Sequence, residues 1–205
     1  MMNALTEQEK EQGYELLFDG ESLKGWAVTE RPEGWTVENG LLICKGITTG
    51  YLFTLKKYEN FILELEYRAA PKANSGIFFR WSDLTDPVHT GLEMQIWDTY
   101  DHKEMVKNSS GALYDLVAPS VNAVKPAGEW NTARVKCDGS LIELTLNGIV
   151  VVEADIDQWD TPGKNPDGTD NKFKYAWKDM PRLGHIGLQD HQGYVEFKNI
   201  KIKQL

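Results

Sequence analysis

Cysteine is scarce in this chain, which has two cysteines among its 205 residues. Cys44 and Cys137 lie in separate apolar runs that resemble strands. Two isolated cysteines exclude a disulfide framework and a CxxC redox or zinc motif. We therefore expect both side chains to behave as small buried hydrophobes.

Long hydrophobic runs are also lacking. No stretch approaches the roughly 18 apolar residues that a membrane-spanning helix needs, so no membrane partner is expected. The first residues, MMNALTEQEKEQGYELL, lack the apolar core of an export signal. We expect the chain as written to be cytoplasmic, or periplasmic if an export signal has been removed.

Positive charge is sparse as well. The 22 Lys and Arg residues are outnumbered by 31 Asp and Glu residues, which gives a formal net charge of −9. No Lys/Arg cluster supplies the basic face that a general nucleic-acid-binding protein needs. The sequence therefore predicts that nucleic acid is not a partner.

Strand signals dominate what is present. Asn39-Gly40, Asp138-Gly139 and Asn147-Gly148 separate apolar runs, and such dipeptides are typical of two-residue hairpin turns. The segment FILELEYRA alternates largely between apolar and polar residues. Many short strands with frequent turn signals predict an all-β protein, either a sandwich or a barrel.

The helical content is predicted to be small. Thr6 and Glu9 form a capping-box pattern, which predicts one short helix over 5–12. Strand periodicity then continues to the last residue without a linker. We therefore predict a single β-sandwich domain over 1–205, with 1–13 as a helical lead-in.

Polar side chains alternate along two neighbouring predicted strands. In GLEMQIWD, the side chains of Glu93, Gln95 and Trp97 share one face. In NSGIFFRW, Arg80 reaches that same face if the two strands pair. A carboxylate, an amide and a guanidinium beside an indole suit a hydroxylated ring such as a sugar. The alternative is that this face is only the solvated side of an antiparallel sheet.

The last predicted strands repeat this pattern. In GHIGLQDHQGYVEFKNIKIKQL, Gln189 lies on the polar face and the strand then breaks at a corner that holds His191. A histidine can donate or accept a proton near neutral pH. His191 is therefore a catalytic candidate if it lines the same cavity as Glu93, and a solvated loop residue if it does not.

Two long irregular stretches, 98–128 and 154–182, interrupt the strands. Loops of this length in a compact domain are usually functional or mobile. We expect both to line one rim of the sheet. The first holds His102, Tyr114 and Asp115, which we predict to contact a ligand, although a solvated loop is the competing interpretation.

Possible metal ligands are present but scattered. Asp98, Asp101, His102 and His191 carry suitable donor atoms, yet no compact His/Cys spacing joins them. We therefore predict no metal site and no cofactor, and a divalent metal stays an open alternative.

Seven segments in order carry a resemblance to a known family. They are YELLFDGESLKGW, NSGIFFR, EMQIWD, GALYDLVAP, KPAGEWNTARV, LNGIVVVE and GHIGLQDHQGYVEFKNIKIKQL. Together they resemble the 3-keto-disaccharide hydrolase family. The resemblance runs from Tyr14 to Leu205, which is nearly the whole chain.

This resemblance implies a concanavalin A-like jelly-roll sandwich of two antiparallel sheets. It also implies a small carbohydrate substrate, a glycoside whose carbon-3 hydroxyl a separate sugar 3-dehydrogenase has oxidised to a ketone. The motif positions that it carries over are Arg80, Glu93, Gln95, Asp98, Tyr114, Asp115, Gln189 and His191.

The expected chemistry follows from the ketone. A 3-keto sugar has an acidic C2–H, and loss of that proton allows elimination of the leaving group from C1, after which water can add. We expect Glu93 or His191 to act as the base and the other as the acid. Arg80 is the predicted cation for the enolate oxygen, and Gln95 and Gln189 are predicted to orient hydroxyls.

A second enzyme class uses the same strand. Glu93-x-Gln95-x-x-Asp98 resembles the E-x-D-x-x-E signature of retaining endoglucanases, in which two carboxylates lie about 5–5.5 Å apart. Glu93 and Asp98 share a face only if a β-bulge lies between them.

A carbohydrate-binding module without catalysis is the other alternative, since a fold alone does not decide function. Binding would then depend on exposed aromatic side chains. The candidates are Trp97, Trp159, Tyr175 and Trp177.

Overall fold

The computed structural model describes residues 2–205, and most of them belong to strands of two antiparallel sheets. The strands are β1 (Tyr14–Leu16), β2 (Trp26–Val28), β3 (Trp35–Glu38), β4 (Leu41–Cys44), β5 (Thr49–Thr54), β6 (Phe61–Ala69), β7 (Asn74–Trp81), β8 (Leu92–Trp97), β9 (Asn131–Asp138), β10 (Leu141–Leu146), β11 (Ile149–Asp155), β12 (His185–His191) and β13 (Val195–Gln204). The helices are α1 (Glu7–Glu11) and α2 (Pro87–Thr90), with three 3-10 turns at Pro32–Gly34, Ile156–Gln158 and Trp177–Asp179.

The larger sheet has eight strands in the order β11-β10-β9-β6-β13-β4-β3, and β1 also pairs with β13. The smaller sheet has five strands in the order β2-β5-β12-β7-β8. The predicted all-β fold of two antiparallel sheets with one short N-terminal helix is therefore confirmed. The four-residue helix α2 was not predicted. Neither helix within 2–205 is long and apolar enough to cross a membrane.

The core lies between the two sheets. Along β6 the alternate residues Phe61, Leu63, Leu65 and Tyr67 are buried, as the alternating pattern predicts. Burying one such aliphatic or aromatic side chain contributes roughly 1.5–3 kcal/mol to the free energy of unfolding. Both cysteine side chains are buried, as expected. The outer face of the smaller sheet does not pack against the larger sheet, so polar side chains can lie on it.

Local sequence signals fix the ends of several elements. Thr6 accepts a hydrogen bond from the backbone N–H of Glu9, and Glu9 accepts one from the backbone N–H of Thr6, so the predicted capping box is present. Asn147 and Gly148 have φ values of 51° and 81°. A type I′ hairpin turn requires positive φ at both positions, which Asn-Gly tolerates.

A β-bulge in β7 changes which residues face outward. Between the pairs Phe78–Gly187 and Trp81–His185, β7 has one more residue than β12. Arg80 takes up this extra residue with a φ of 51°, which is uncommon for a residue with a Cβ. The bulge turns Trp81 to the outer face, although simple alternation predicts that it faces the core.

Candidate active site

A cleft of about 190 Å³, here called the inner cleft, lies on the outer face of the smaller sheet. Its lining residues are Tyr51, Asn74, Phe78, Val88, Glu93, Gln95, Tyr114, Lys172, Gln189 and His191. The predicted site residues that meet here are Glu93, Gln95, Tyr114, Gln189 and His191. The sequence therefore identified the two strands and the corner that form this cleft.

The cavities over the larger sheet contain none of Glu93, Gln95 and His191. Cavities of about 240 and 400 Å³ lie over the larger sheet. They are lined by charged side chains that pair with one another, such as Arg134 and Glu64, whose nitrogen and oxygen are 3.6 Å apart. Charges that already pair on an exposed face are typical of a solvated surface, so the inner cleft is the better candidate although it is smaller.

Glu93 occupies the floor of the inner cleft. It pairs with Phe78 across the sheet, and its carboxyl group lies directly over Gly76. A Cβ atom at residue 76 would lie 2.0 Å from Oε1 of Glu93, so only glycine leaves room for this carboxyl position. Burial raises the pKa of Glu93 to about 8, and the positive charge of Lys172 lowers it only in part. Glu93 can therefore exchange a proton near neutral pH.

Two amide oxygens in the inner cleft accept no hydrogen bond from any of residues 2–205. They are Oε1 of Gln95 and Oδ1 of Asn74. Gln95 is only 4% exposed. Buried polar atoms are normally hydrogen-bonded. Both oxygens therefore keep acceptor capacity that no side chain or backbone group of residues 2–205 uses.

Gln189 and His191 come from the end of β12. Nδ2 of Asn74 lies 3.4 Å from Nδ1 of His191, and Nε2 of Gln189 donates to the Tyr51 hydroxyl at 3.3 Å. These contacts hold the His191 ring beside Asn74 at the edge of the inner cleft.

The corner that carries His191 is held by Asp190, which is only 1% exposed. Oδ2 of Asp190 accepts hydrogen bonds from the hydroxyl of Thr48 at 2.5 Å and from its backbone N–H at 3.3 Å. Oδ1 accepts one from the backbone N–H of Gln192 at 2.9 Å. These bonds fix the turn, since hydrogen bonds to a charged group are stronger than those between neutral groups.

The two long loops meet at the rim, as predicted. The backbone N–H of Tyr114 donates to the carbonyl of Glu93 at 2.9 Å, which places Tyr114 beside β8. Asp115 then accepts a hydrogen bond from the backbone N–H of Lys172 at 2.8 Å. This bond brings Nζ of Lys172 to 4.0 Å from the centre of the Tyr114 ring, a cation–π contact.

Arg80 does not line the inner cleft, so its predicted place beside Glu93 is wrong. Because of the bulge, its side chain enters the interior and is only 2% exposed. Nε donates to the carbonyl of Glu59 at 3.0 Å, and Nη2 donates to Oδ1 of Asn60 at 3.2 Å. The cation at the cleft is instead Lys172, which the sequence reasoning missed.

Four other predicted ligand-binding residues have different neighbours. Asp98 accepts a hydrogen bond from the backbone N–H of Lys72 at 2.8 Å and so braces a turn. The rings of Trp97 and His102 pack edge to face with centres 5.3 Å apart. Asp115 holds the loop of Lys172, as described above. These four residues are outside the lining of the inner cleft.

The structure also bears on the two alternative functions. β8 pairs with β7 without a register shift, so no bulge brings Asp98 to the face of Glu93 as the endoglucanase pair requires. Trp159 and Trp177, which were candidates for a sugar-binding platform, are buried in the core. Tyr175 is exposed.

A metal-binding cluster is not evident in the described part of the chain. Among residues 2–205, no three or more His, Cys, Asp or Glu side chains are grouped so that they could hold an ion.

Comparison with known families places this site in context. Residues 13–203 match the family described as the 3-keto-alpha-glucoside-1,2-lyase-like domain. The chain belongs to this family. The match covers nearly all of the sequence, and it confirms the resemblance that the seven segments indicated.

Members and relatives of the family support a glycosidase function. The 3-keto-disaccharide hydrolase of Bacteroides thetaiotaomicron is 27% identical, over 94% of this chain and 79% of the relative. A crystal structure of a proposed glycosyl hydrolase from Parabacteroides distasonis is 32% identical and has a TM-score of 0.85, over 94% of this chain and 99% of the other.

A more distant structure shows the fold alone. The carbohydrate-binding module CBM66 from Bacillus subtilis has a TM-score of 0.55 at 14% identity, over 88% of this chain and 96% of the other. It confirms the predicted jelly-roll sandwich. At this identity it does not distinguish a binding module from an enzyme.

Proposed function

We propose that this protein cleaves 3-keto-glycosides, with 3-keto-disaccharides as the substrate class, by elimination followed by hydration. The observation that carries the proposal is the carboxyl group of Glu93, which is half-buried over Gly76 in the same cleft as His191 and whose pKa is raised to about 8. A separate sugar 3-dehydrogenase supplies the substrate.

The ketone determines what the site must do. Removal of the C2 proton gives an enolate, and collapse of the enolate breaks the bond between C1 and the leaving oxygen. The leaving oxygen takes up a proton, which leaves an unsaturated ketone. Water then adds at C1 while C2 regains a proton. The site needs a base at C2, a positive charge near the ketone oxygen and an acid at the leaving oxygen.

Glu93 is the proposed base. Its carboxylate is a stronger base than that of an exposed glutamate, because burial disfavours the charged form and raises the pKa to about 8. A base is most effective when its pKa lies near the working pH. Deprotonation of Glu93 would therefore limit the rate below that pH.

His191 is the proposed acid. Its ring lies beside the amide of Asn74, whose Nδ2 is 3.4 Å from Nδ1. The protonated ring is the form that would donate to the leaving oxygen. It is also exposed and lies at the edge of the inner cleft, where a leaving group can depart.

Lys172 replaces Arg80 as the proposed cation for the enolate oxygen. A fixed positive charge that faces a developing negative charge lowers the barrier without reorganisation. Asp115 holds the Lys172 backbone, and the Tyr114 ring lies beneath the ammonium group. The amide groups of Gln95 and Gln189 would orient the sugar hydroxyls.

A paired turnover assay tests this proposal. The purified protein is incubated with a 3-keto-disaccharide and with its unoxidised parent, with and without a chelator, and the released sugar is measured. We expect cleavage of the keto form alone, since only the ketone makes C2–H acidic. Cleavage of the unoxidised parent at the same rate would overturn the proposal. Binding of the keto form without cleavage would favour a binding module.

A further inference from the structure

A second cavity, here called the outer groove, lies beside the inner cleft. Its volume is about 550 Å³, and both cavities are lined by Tyr51, Gln189 and His191. The remaining lining residues of the outer groove are Thr29, Glu30, Thr49, Gly50, Leu84, Thr85, Pro87 and Asp190. His191 thus lies at the border between the two cavities.

The size of the inner cleft limits what it can hold. Its volume of about 190 Å³ is below the roughly 300–1,000 Å³ of pockets that enclose a drug-sized ligand. The outer groove, at about 550 Å³, falls within that range. A disaccharide in contact with Glu93 must therefore extend beyond the inner cleft, and the outer groove, which shares three lining residues with the cleft, is the adjacent space.

The chemistry of the groove differs from that of the inner cleft. Thr49 and Thr85 are exposed and present hydroxyl groups, while Leu84 and Pro87 provide an apolar wall. Hydroxyl groups beside an apolar wall suit a sugar, which has polar edges and an apolar face. Glu30 is exposed in the same groove, and its negative charge disfavours an acidic ligand.

We propose that the outer groove is the leaving-group subsite, which binds the second sugar, an uncharged hydroxylated ring, while the ketone-bearing ring occupies the inner cleft. This inference rests on the proposed function and adds the direction of the substrate. The acid, His191, then lies between the two rings, where the leaving oxygen takes up its proton. The base, Glu93, stays with the ketone ring.

Substitutions that fill the groove test the assignment. Thr85→Trp and Thr49→Trp each place an indole in the groove on an exposed position, and Thr132→Trp places one on an exposed position of the larger sheet as a matched control. The substrates are a 3-keto-disaccharide and methyl 3-keto-glucoside, whose leaving group is a single methanol. The measured quantity is the ratio of kcat/KM for the disaccharide to kcat/KM for the methyl glycoside.

We expect this ratio to fall by about tenfold or more in each groove variant, the scale of discrimination that one pocket contact provides. The control should keep the wild-type ratio. An unchanged ratio in both groove variants, with the wild type cleaving both substrates, overturns the subsite alone. A wild type that cleaves neither substrate overturns the proposed function and the leaving-group role with it.

Two groove variants are used because they lie on different segments, β5 and the turn before α2, so that misfolding of one variant leaves the other to test the subsite.

A third substrate tests the charge preference. A 3-keto-glycoside with a carboxylated leaving sugar should have a lower kcat/KM than the neutral disaccharide, and Glu30→Gln should narrow that difference. A preference for the acidic leaving group would contradict the proposed ligand class.

Discussion

Glu93 is the residue in which position and chemistry are most closely linked. Its carboxyl group lies over a glycine, pairs with no cation at hydrogen-bond distance within the described chain, and has a pKa raised to about 8 by burial. Withdrawing a carboxylate from water without a positively charged partner lowers the stability of the folded protein. Such a destabilised group is a common mark of a functional site.

The rate should depend on the ionisation of this one carboxyl group. We expect Glu93→Gln to lower kcat on a 3-keto-disaccharide by about 10²–10⁴-fold, the usual contribution of a general base. In the wild type, kcat/KM should rise with pH up to about 8, where Glu93 becomes ionised. Glu153→Gln, at an exposed position, is the control. A wild-type kcat in Glu93→Gln would show that another group takes the proton.

The stability of the fold should report the same ionisation. The pKa of Glu93 is raised from 4.5 to about 8 in the folded protein. Folding therefore favours the protonated form, and its stabilising effect is complete below pH 4.5 and lost as the pH rises through about 8. Urea unfolding should show that the wild type loses more stability than Glu93→Gln between pH 5 and pH 9. Parallel losses in the two proteins would contradict the raised pKa.

Gly76 should matter because of the space that it leaves. In Gly76→Ala the new Cβ would lie 2.0 Å from Oε1 of Glu93, so the carboxyl group must move. We expect kcat to fall by about tenfold or more, because small displacements of a catalytic group are costly. In a Glu93→Gln background the same substitution should have little further effect. Equal effects in both backgrounds would place the role of Gly76 elsewhere.

At the scale of the elements, the bulge in β7 directs Arg80 into the interior of the protein and away from the inner cleft. Arg80 and Trp81 exchange the faces that alternation predicts, because one extra residue shifts every later side chain of the strand. Arg80 then joins β7 to the turn at Glu59 and Asn60. Its role in the structure is to connect the two sheets.

Arg80→Gln should therefore weaken the fold more than the chemistry. Loss of the bonds to Glu59 and Asn60 should lower the free energy of unfolding by about 1–3 kcal/mol. We expect kcat of the folded variant to stay close to that of the wild type. Arg134→Gln, which removes only surface ion pairs, is the stability control. A large loss of kcat with unchanged stability would restore Arg80 to the catalytic group.

The end of β12 is the second element that the site depends on. Asp190 fixes the corner of His191 through Thr48 and the backbone of Gln192. We expect Asp190→Asn to lower the free energy of unfolding by about 1–3 kcal/mol, since an amide cannot accept all of these bonds. It should also lower kcat. Asp160→Asn, whose carboxyl accepts from an exposed threonine, is the control. A full kcat despite the lost stability would show that the corner does not need Asp190 for catalysis.

The part of the site that regular strands build could be predicted from the sequence. Alternation placed Glu93, Gln95 and Gln189 on one face, and it could also have found Asn74, which shares a face with Gly76. The bulge has no signature in the sequence, because its extra residue is stabilised by contacts distant along the chain. Lys172 was missed for the same reason, since its place depends on Asp115 in another loop.

At the scale of the whole molecule, the outer faces of the two sheets differ in the side chains that they carry. The outer face of the larger sheet carries mutually paired charges, such as Arg134 with Glu64 and Glu143. The outer face of the smaller sheet carries the half-buried carboxyl group of Glu93 and the amide oxygens of Asn74 and Gln95, which accept no hydrogen bond from residues 2–205. Strand order brings these groups together from residues 51 to 191, so the whole fold is needed to assemble the site.

The order of the strands also determines when the protein can fold during synthesis. β12 lies between β5 and β7, and β13 lies between β6 and β4, so each sheet has an interior strand that follows all its partners in the sequence. The smaller sheet is split until residues 185–191 leave the ribosome, and the larger sheet is split until residues 195–204 follow. The nascent chain must therefore stay unaggregated until β12 completes the smaller sheet and β13 completes the larger one.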